Sequence, residues 1–259
     1  MYGNKKVDNT LNPNFMTPFL KNAQIAEFYQ LLKIIEEMYS KTNRQLKVLD
    51  IGVGDARIPL MLSKSNKWSN INLFVGIENS QIEVDKAVKA VEDAGLEEKV
   101  SIVNLDALNI ETQKNALSEQ NYDLIICTYF TPGNFKPGEI DINKIPFYSK
   151  ELLKPNKNFA KVFKSAYEML NSGGVMLLGS IYIDTNENRR RQEEFYKKCG
   201  MSVVTSSDDE FTATKEGFWS ERFTKEKIFE YFYWVTKENI KIIPLDNYNF
   251  AESVVISKP

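Results

Sequence analysis

The segment VLDIGVGDARIPL, residues 48–60, places a glycine turn and two carboxylates between a buried-strand pattern and a helix pattern. Gly52 and Gly54 allow a sharp turn, which brings main-chain N–H groups close to a ligand at the positive end of the following helix. Glu78 ends the next strand pattern, where its carboxylate can accept hydrogen bonds from ribose hydroxyls. This spacing favours a nucleotide-binding turn over a plain strand-to-helix turn.

The charge of this turn distinguishes two candidate ligands. A dinucleotide fold requires a third glycine, but Arg57 stands at that position. Asp50 and Asp55 flank the turn. Two carboxylates would repel a pyrophosphate, whereas they attract the ammonium and sulfonium cations of S-adenosylmethionine. The turn therefore favours S-adenosylmethionine over NAD.

Four motifs in order resemble those of the class I S-adenosylmethionine-dependent methyltransferases. DIGVGDA is similar to their glycine-rich first motif, Glu78 in FVGIENS to their acidic ribose-binding residue, and Asp106 in VNLDAL to the acidic residue that takes the adenine amino group. YDLIICTYF and the helix-NSGG-VMLLGS unit resemble the later motifs. The resemblance covers roughly residues 45–182 plus the terminal helix and strand pair, and it implies a methyltransferase with S-adenosylmethionine as its cofactor.

The resemblance also implies a set of site residues and no metal ligand. The cofactor would be held by Asp50, Gly52, Gly54, Asp55, Glu78, Asn79, Asp106, Ala107 and Cys127. The acceptor would be held by Tyr129, Phe130, Asn134 and Trp219, with Tyr129 also the candidate catalytic base.

Departures from the family pattern narrow the chemistry. The family often has glycine where Ala56 stands, but alanine is small enough to keep the turn. The sequence CTYFTPG replaces the [DN]PP[FY] motif after strand four, which argues against the adenine-N6 and glutamine-N5 methylating branches. Cys127 lies within a strand pattern, so a small buried hydrophobe is favoured over a nucleophile for pyrimidine C5 chemistry.

Apolar periodicity predicts the elements that position these residues. An amphipathic helix is expected with an apolar face that includes Ile25 and Leu31, and short apolar runs then alternate with further helical segments. This alternation predicts a parallel sheet. The helices are expected near residues 23–40, 58–65, 80–94 and 111–119.

The C-terminal part carries a reversed strand. IKIIPLD and ESVVISK are separated by a short turn that leaves no room for a crossover helix, so these strands should pair antiparallel after a helix capped by Thr224. We therefore expect an α/β fold: a doubly wound, mostly parallel seven-stranded sheet with an antiparallel C-terminal strand, helices on both faces and a small insertion after strand five.

The 259 residues are expected to form one methyltransferase domain. Its parts are an N-terminal lid segment (1–22), a cofactor-binding core (23–182), a cover insertion (183–223) and a C-terminal helix and strand pair (224–259). The segments 131–158 and 200–223 should cover the methyl group, with Gly217 allowing Phe218 and Trp219 to swing, while Phe15 and Phe19 close the third side.

Three other candidates are weighed against plain structural roles. Possible oxygen ligands for a metal are Asp184, Asn186 and Asn188, but we expect Asp184 to cap the helix that follows. The arginines at 189–191 are expected to form a solvated helix face. Residues 136–164 contain seven lysines against three acidic residues, which is the best sequence argument for an anionic acceptor such as RNA.

Composition limits partners and mechanism. With 33 basic and 35 acidic residues, the chain lacks the cationic excess typical of nucleic-acid binding, and no apolar run is long enough for a membrane span. Two isolated cysteines suit a cytoplasmic protein that is neither exported nor anchored. The sequence has no histidine, so an amine or a thiolate that loses its proton to solvent suits it better than an alcohol.

We therefore expect methyl transfer to a small-molecule acceptor, at nitrogen rather than oxygen. An RNA or protein methyltransferase and a noncatalytic cofactor-binding module are the alternatives. The oligomeric state is left open.

Overall fold

The computed structural model describes residues 5–10, 12, 14–117, 121–138, 156–205, 209–245 and 249–259. Its helices are α1 (Lys5–Asp8), α2 (Pro18–Thr42), α3 (Arg57–Ser63), α4 (Gln81–Asp93), α5 (Lys157–Glu168), α6 (Asn186–Lys198) and α7 (Lys225–Tyr231). Its strands are β1 (Leu46–Ile51), β2 (Ile71–Glu78), β3 (Val100–Asn104), β4 (Tyr122–Cys127), β5 (Leu170–Ile183), β6 (Phe211–Ala213), β7 (Trp219–Phe223), β8 (Ile240–Pro244) and β9 (Ala251–Ser257).

The sheet is parallel through its first five strands, in the order β3-β2-β1-β4-β5. Strand β9 pairs antiparallel with β5 and with β8, so it is the reversed strand that the sequence predicted. Because β1, β2 and β3 run in the same direction, the residues that follow them meet at one edge of the sheet. This edge holds the glycine turn, Glu78 and Asp106.

The sheet has nine strands rather than the predicted seven. The two additional strands lie in the predicted cover insertion, where β6 and β7 form an antiparallel hairpin. The hairpin joins the sheet because β5 is 14 residues long, so that Tyr182 and Ile183 extend past the end of β4 and pair with Arg222 and Phe223 of β7. The hairpin therefore stands above the edge at which β4 ends.

Apolar side chains cover both faces of the sheet. One face packs against α5 and α7, with Phe159, Phe163 and Tyr231 in the same cluster. The other packs against α2, α3 and α4, with Leu31 and Ile58 in its core. Helices on both faces confirm the predicted α/β class.

The first predicted helix is longer than expected, and its predicted apolar face is confirmed at Leu31 but not at Ile25. Helix α2 starts at Pro18, where the Thr17 hydroxyl accepts the N–H of Leu20, so Phe19 of the predicted lid segment is helical. Ile25, expected on the apolar face, is 55% exposed. The buried face of α2 includes a carboxylate, since Ala23, Glu27 and Leu31 are all buried at four-residue spacing.

Two other local predictions are wrong and one is confirmed. The expected helix near 111–119 is a single 3-10 turn over Lys114–Ala116 in the described residues. The N-cap of α6 is Thr185, whose hydroxyl accepts the N–H of Asn188, and not Asp184. Thr224 caps α7 as expected, by accepting the N–H of Lys227.

Candidate cofactor and acceptor site

The turn after β1 uses left-handed backbone conformations at alternate residues. Gly52 has φ 77°, Gly54 has φ 55° and Ala56 has φ 61°. The turn is held to the next strand because the N–H groups of Gly52 and Val53 donate to the Ile77 carbonyl at 2.9 and 3.0 Å. Gly76 makes this close approach possible, since a Cβ there would lie 2.7 Å from Cγ2 of Val53.

A cavity of about 300 Å³, here called the strand-end cavity, opens beside this turn. Six of its lining residues are Gly52, Glu78, Asn79, Asp106, Ala107 and Asn134. Glu78 is 6% exposed and accepts the Ser80 N–H at 2.9 Å, and its burial raises its pKa. Asp106 accepts the N–H of Leu108 at 3.0 Å. The structure thus brings together the residues that the resemblance assigned to the adenosine part of a cofactor.

A second cavity, here called the corner cavity, lies on the other side of the turn. Much of its wall is the segment after β4, where Tyr129 and Phe130 both have positive φ, at 52° and 63°. Left-handed backbone costs about 1–2 kcal/mol for a non-glycine residue, so surrounding contacts must hold this corner in place. The aromatic lining consists of Tyr129, Phe130, Tyr182, Phe195, Tyr196 and Phe218.

The N-terminal part of the chain closes one side of the corner cavity. Thr10, Met16, Leu20 and Gln24 all line it, the last two from α2. The predicted closing residues Phe15 and Phe19 do not line the cavity but pack against the apolar cluster that contains most of its aromatic wall. The N-terminal segment therefore forms a wall of the cavity, with different side chains from those expected.

The two cavities meet at Gly52, Thr131 and Asn134, which line both. A Cβ on Gly52 would lie 2.6 Å from Cγ2 of Thr131, so only glycine fits where the turn approaches the corner. The Oδ1 atom of Asn134 is buried and has no hydrogen-bond partner in the described structure. A polar acceptor without a partner at the junction fits a ligand that spans both cavities.

Three predicted site residues are not brought to either cavity. Asp50 and Cys127 are buried under the sheet edge, at 1% and 0% exposed, and line neither cavity. Trp219 is 1% exposed and stacks on Phe211 at 3.8 Å between ring centroids, so it belongs to the inside of the hairpin. Its neighbour Phe218 faces the corner cavity, because adjacent residues of an extended strand point in opposite directions.

Sequence reasoning missed Glu27, the buried carboxylate of α2. Its oxygens accept the Tyr129 N–H at 3.2 Å and the N–H of Ser180 on β5. Gly179 makes room for it, since a Cβ there would lie 2.6 Å from the Glu27 carboxyl carbon. The available signal was the four-residue spacing that places Glu27 between Ala23 and Leu31.

Comparison with known proteins agrees with this geometry. A family model described as a methyltransferase domain matches residues 42–233. The chain belongs to this methyltransferase domain family. It is a class I, S-adenosylmethionine-dependent methyltransferase. A comparison with curated proteins finds no match.

Solved structures of methyltransferases share the fold. An S-adenosylmethionine-dependent methyltransferase from Clostridium acetobutylicum is 15% identical with a TM-score of 0.55, over 89% of this chain and 92% of that one. A 1,6-didemethyltoxoflavin-N1-methyltransferase from Burkholderia thailandensis is 11% identical with a TM-score of 0.52, over 92% and 78%. The magnesium protoporphyrin IX methyltransferase from Synechocystis is 12% identical with a TM-score of 0.53, over 100% and 94%.

Neither Tyr129, the candidate base of the sequence analysis, nor Asp184 is well suited to take a proton. Burial, and then the charge of Glu27, raises the pKa of Tyr129 well above its ordinary value. Burial alone would raise the pKa of Asp184, but hydrogen bonds from Arg189 and Arg222 outweigh it and lower that pKa. Asp184 does not line the corner cavity.

No helix in the part of the chain that the structure describes is long and apolar enough to cross a membrane.

Of the three arginines of α6, Arg190 is exposed as the sequence suggested, whereas Arg189 and Arg191 make contacts within the protein. Arg189 pairs with Asp184 at 3.1 Å, and the Arg191 guanidinium lies 4.1 Å from the centroid of the Phe19 ring. Arg222 of β7, 1% exposed, shares Asp184 at 3.1 Å. These contacts connect α6 to the β6–β7 hairpin and to α2.

Proposed function

We propose that this methyltransferase transfers a methyl group to a small-molecule acceptor, at nitrogen rather than oxygen. The observation that carries the proposal is the corner cavity, which is walled by the N-terminal segment, the Tyr129–Phe130 corner and Phe218 of the hairpin. Such an enclosed, aromatic space suits a small organic acceptor and leaves little room for a duplex.

The strand-end cavity would hold the adenosine part of the donor. We assign the ribose hydroxyls to Glu78 and the adenine amino group to Asp106, with Asn79 and Ala107 beside them. S-adenosylmethionine supplies a methyl group already activated on a sulfonium sulfur. Gly52 lies where the two cavities meet, so the same turn would separate donor and acceptor while keeping them in contact.

The choice of nitrogen rests on the lack of a suitable base. Asp55 and Arg57 are the only charged side chains among the described residues that line the corner cavity, and 46% of the Asp55 side chain is exposed. The raised pKa of Tyr129 keeps its phenol protonated at neutral pH. An amine attacks through its own lone pair and can lose its proton to solvent afterwards, whereas an alcohol needs a base during attack.

The alternatives have weaker support. Binding of an RNA acceptor calls for an excess of basic side chains around the mouth of the cavity. The charges of the one carboxylate and the one guanidinium in the described lining instead cancel. Much of the lysine-rich stretch 136–164 lies outside the described residues, so it does not decide this question. A noncatalytic binding module would not need the enclosed acceptor space.

Two features support the proposed partners and location. Two of the similar structures are named as methyltransferases of small molecules, one of them with its acceptor bound, so the fold accommodates such ligands. Cys127 and Cys199 are both buried free thiols, which suits the cytoplasm.

Calorimetry and a release assay test the proposal in sequence. S-adenosylmethionine and S-adenosylhomocysteine should bind, and NAD should give no heat. Pools of small amines, alcohols and short RNAs are then screened for S-adenosylhomocysteine release, and the amine pools should give the signal. Release with RNA alone would overturn the small-molecule assignment, and release with alcohols alone would overturn the choice of nitrogen.

A further inference from the structure

Glu27 occupies an unusual position for a carboxylate. It is 1% exposed, it lies in the face of α2 that packs on the sheet, and no lysine or arginine pairs with it among the described residues. Its contacts are two main-chain N–H groups, from Tyr129 at the corner and from Ser180 on β5. An ionised carboxylate in such a place is stabilised by N–H dipoles and by the charge of Arg57, which is not paired with it. It would gain strongly from a nearby cation.

A second carboxylate lies close by without any partner. Both oxygens of Asp50 are buried and make no hydrogen bond in the described structure. Asp50 is two residues before Gly52, which lines both cavities, and Glu27 binds the N–H of Tyr129, which lines the corner cavity. The Glu27 carboxyl group therefore lies behind the wall of the corner cavity, and Asp50 lies behind the junction at Gly52, where the sulfonium of the donor would face the acceptor.

The groups around Glu27 create an acidic environment. Burial raises the pKa of Glu27 to about 7, while the two N–H bonds and the charge of Arg57 oppose that rise. Burial raises the pKa of Asp50 as well, and the charges of Glu27 and Glu78 add to it. The titratable or charged groups that face this region are Asp50 from β1, Glu78 from β2, Arg57 from α3, and Cys127 and Tyr129 from β4 and its end.

We propose that Glu27 is a charge sensor for the methyl donor: it holds a proton in part of the free enzyme and releases it to solvent when the cationic donor binds. This inference rests on the proposed function. S-adenosylmethionine carries one more positive charge than S-adenosylhomocysteine, because the sulfonium becomes a neutral thioether when the methyl group leaves. The product therefore loses the attraction of an ionised Glu27, the proton returns, and release of the product is favoured over release of the donor.

The two ligands provide a direct measurement. Both carry the same ammonium and carboxylate groups, so the difference between them reports the sulfonium charge alone. Calorimetry of each ligand at pH 7, in two buffers of different ionisation enthalpy, gives the number of protons released on binding. With a pKa of about 7, Glu27 is half protonated in the free enzyme, so the donor should release up to roughly half a proton more than the product.

The pH dependence gives a second readout. The preference for donor over product should fall about tenfold between pH 8 and pH 6, because a protonated Glu27 no longer attracts the sulfonium. In Glu27→Gln the preference should be lower and independent of pH. The amide oxygen can take the place of Oε2, which accepts both N–H groups, while the amide NH2 replaces Oε1, the second acceptor of the Tyr129 N–H. The variant therefore keeps one acceptor for each N–H and loses the charge.

Two further variants separate Glu27 from other carboxylates. Asp123→Asn is the matched control, because Asp123 is also a buried carboxylate but lies far from Glu27. It is in β4, five residues and roughly 16 Å along the strand before Thr128, the residue that precedes the Glu27 partner Tyr129. It should leave the extra proton release unchanged. Asp50→Asn should weaken binding of both ligands while keeping the difference between them. If the difference disappears in Asp50→Asn and persists in Glu27→Gln, the sensor is Asp50 and the assignment to Glu27 is wrong.

Failure of this inference is distinguishable from failure of the proposed function. If neither ligand binds, the proposed function falls. If both bind the wild-type protein with equal proton release at pH 7, the function stands and the sensor does not exist. This comparison needs no variant, so it decides the matter even if Glu27→Gln does not fold.

Discussion

The strand-end cavity and the corner cavity differ in how the chain builds them. The strand-end cavity is lined largely by residues at or just after the ends of parallel strands, such as Glu78 at the end of β2 and Asp106 after β3. The corner cavity combines the N-terminal segment, the end of β4, β5, α6 and the hairpin. One is local to the sheet edge, and the other depends on contacts between segments far apart in sequence.

Under the proposed assignment of donor to the strand-end cavity and acceptor to the corner cavity, the two ligands rest on separate structural supports. The edge of a parallel sheet fixes the first cavity, so substitutions there should change cofactor affinity. The second depends on how the hairpin and α2 dock. Substitutions in the hairpin should change acceptor binding or stability while cofactor affinity stays constant.

The largest expected effect distinguishes two neighbouring aromatic residues of the hairpin. Trp219→Ala should lower the free energy of unfolding by about 3–5 kcal/mol, because it removes a buried ring stacked on Phe211. Phe218→Ala should instead raise the acceptor KM, with S-adenosylhomocysteine affinity within twofold of wild type. Denaturant unfolding and steady-state kinetics measure the two effects. A folded Trp219→Ala enzyme of normal stability and raised KM would restore the role first predicted for Trp219.

Glu27 should make the stability of the ligand-free protein depend on pH. Its folded pKa of about 7 lies above the ordinary 4.5, so its full contribution is present below about pH 4.5 and is lost as pH rises through 7. The loss should reach roughly 3 kcal/mol at most. Glu27→Gln does not titrate, so the difference in unfolding free energy from wild type should shift in favour of the variant from pH 5 to pH 8. A constant difference would mean that Glu27 ionises as it does in the unfolded chain.

The contrast between the cavities also explains which features could be predicted from the sequence. The glycine turn, Glu78 and Asp106 could be predicted because each follows an apolar strand pattern that identifies its place at the sheet edge. The reversed β9 could be predicted because its connection to β8 is too short for a crossover. These features depend on neighbours in sequence.

The remaining features depend on contacts across long sequence separations. Glu27 meets Tyr129 across 102 residues and Ser180 across 153, so no local pattern shows why an acid lies in an apolar face. The β6–β7 hairpin joins the sheet only because β5 continues past β4. Asp184 was expected to cap a helix because it stands just before one in the sequence. Its ion pair with Arg222, 38 residues later, could not be predicted from local sequence.

Smaller effects, on cofactor affinity, are expected from substitutions of Glu78 and Asp106. Glu78→Ala should weaken S-adenosylhomocysteine binding by at least ~1.5 kcal/mol, because charge-assisted hydrogen bonds to two ribose hydroxyls are lost. Asp106→Ala should cost less, since one amino contact is involved. With donor held at saturation, neither variant should change the acceptor KM. Wild-type affinity in both variants would place the cofactor outside the strand-end cavity.

The smallest expected effect tests the glycine turn itself. Ala56 has φ 61°, a conformation that costs a non-glycine residue about 1–2 kcal/mol, and it is fully buried. Glycine adopts this conformation freely but increases the entropy of the unfolded chain by roughly 0.5–1 kcal/mol, so Ala56→Gly should stabilise the protein by about 0.5 kcal/mol. The matched control is Gly54→Ala, at φ 55° with no atom within 4 Å of a Cβ, which should destabilise it by a similar amount. Unfolding in denaturant measures both, and a destabilised Ala56→Gly would show that the alanine methyl group contributes more through packing than its backbone conformation costs.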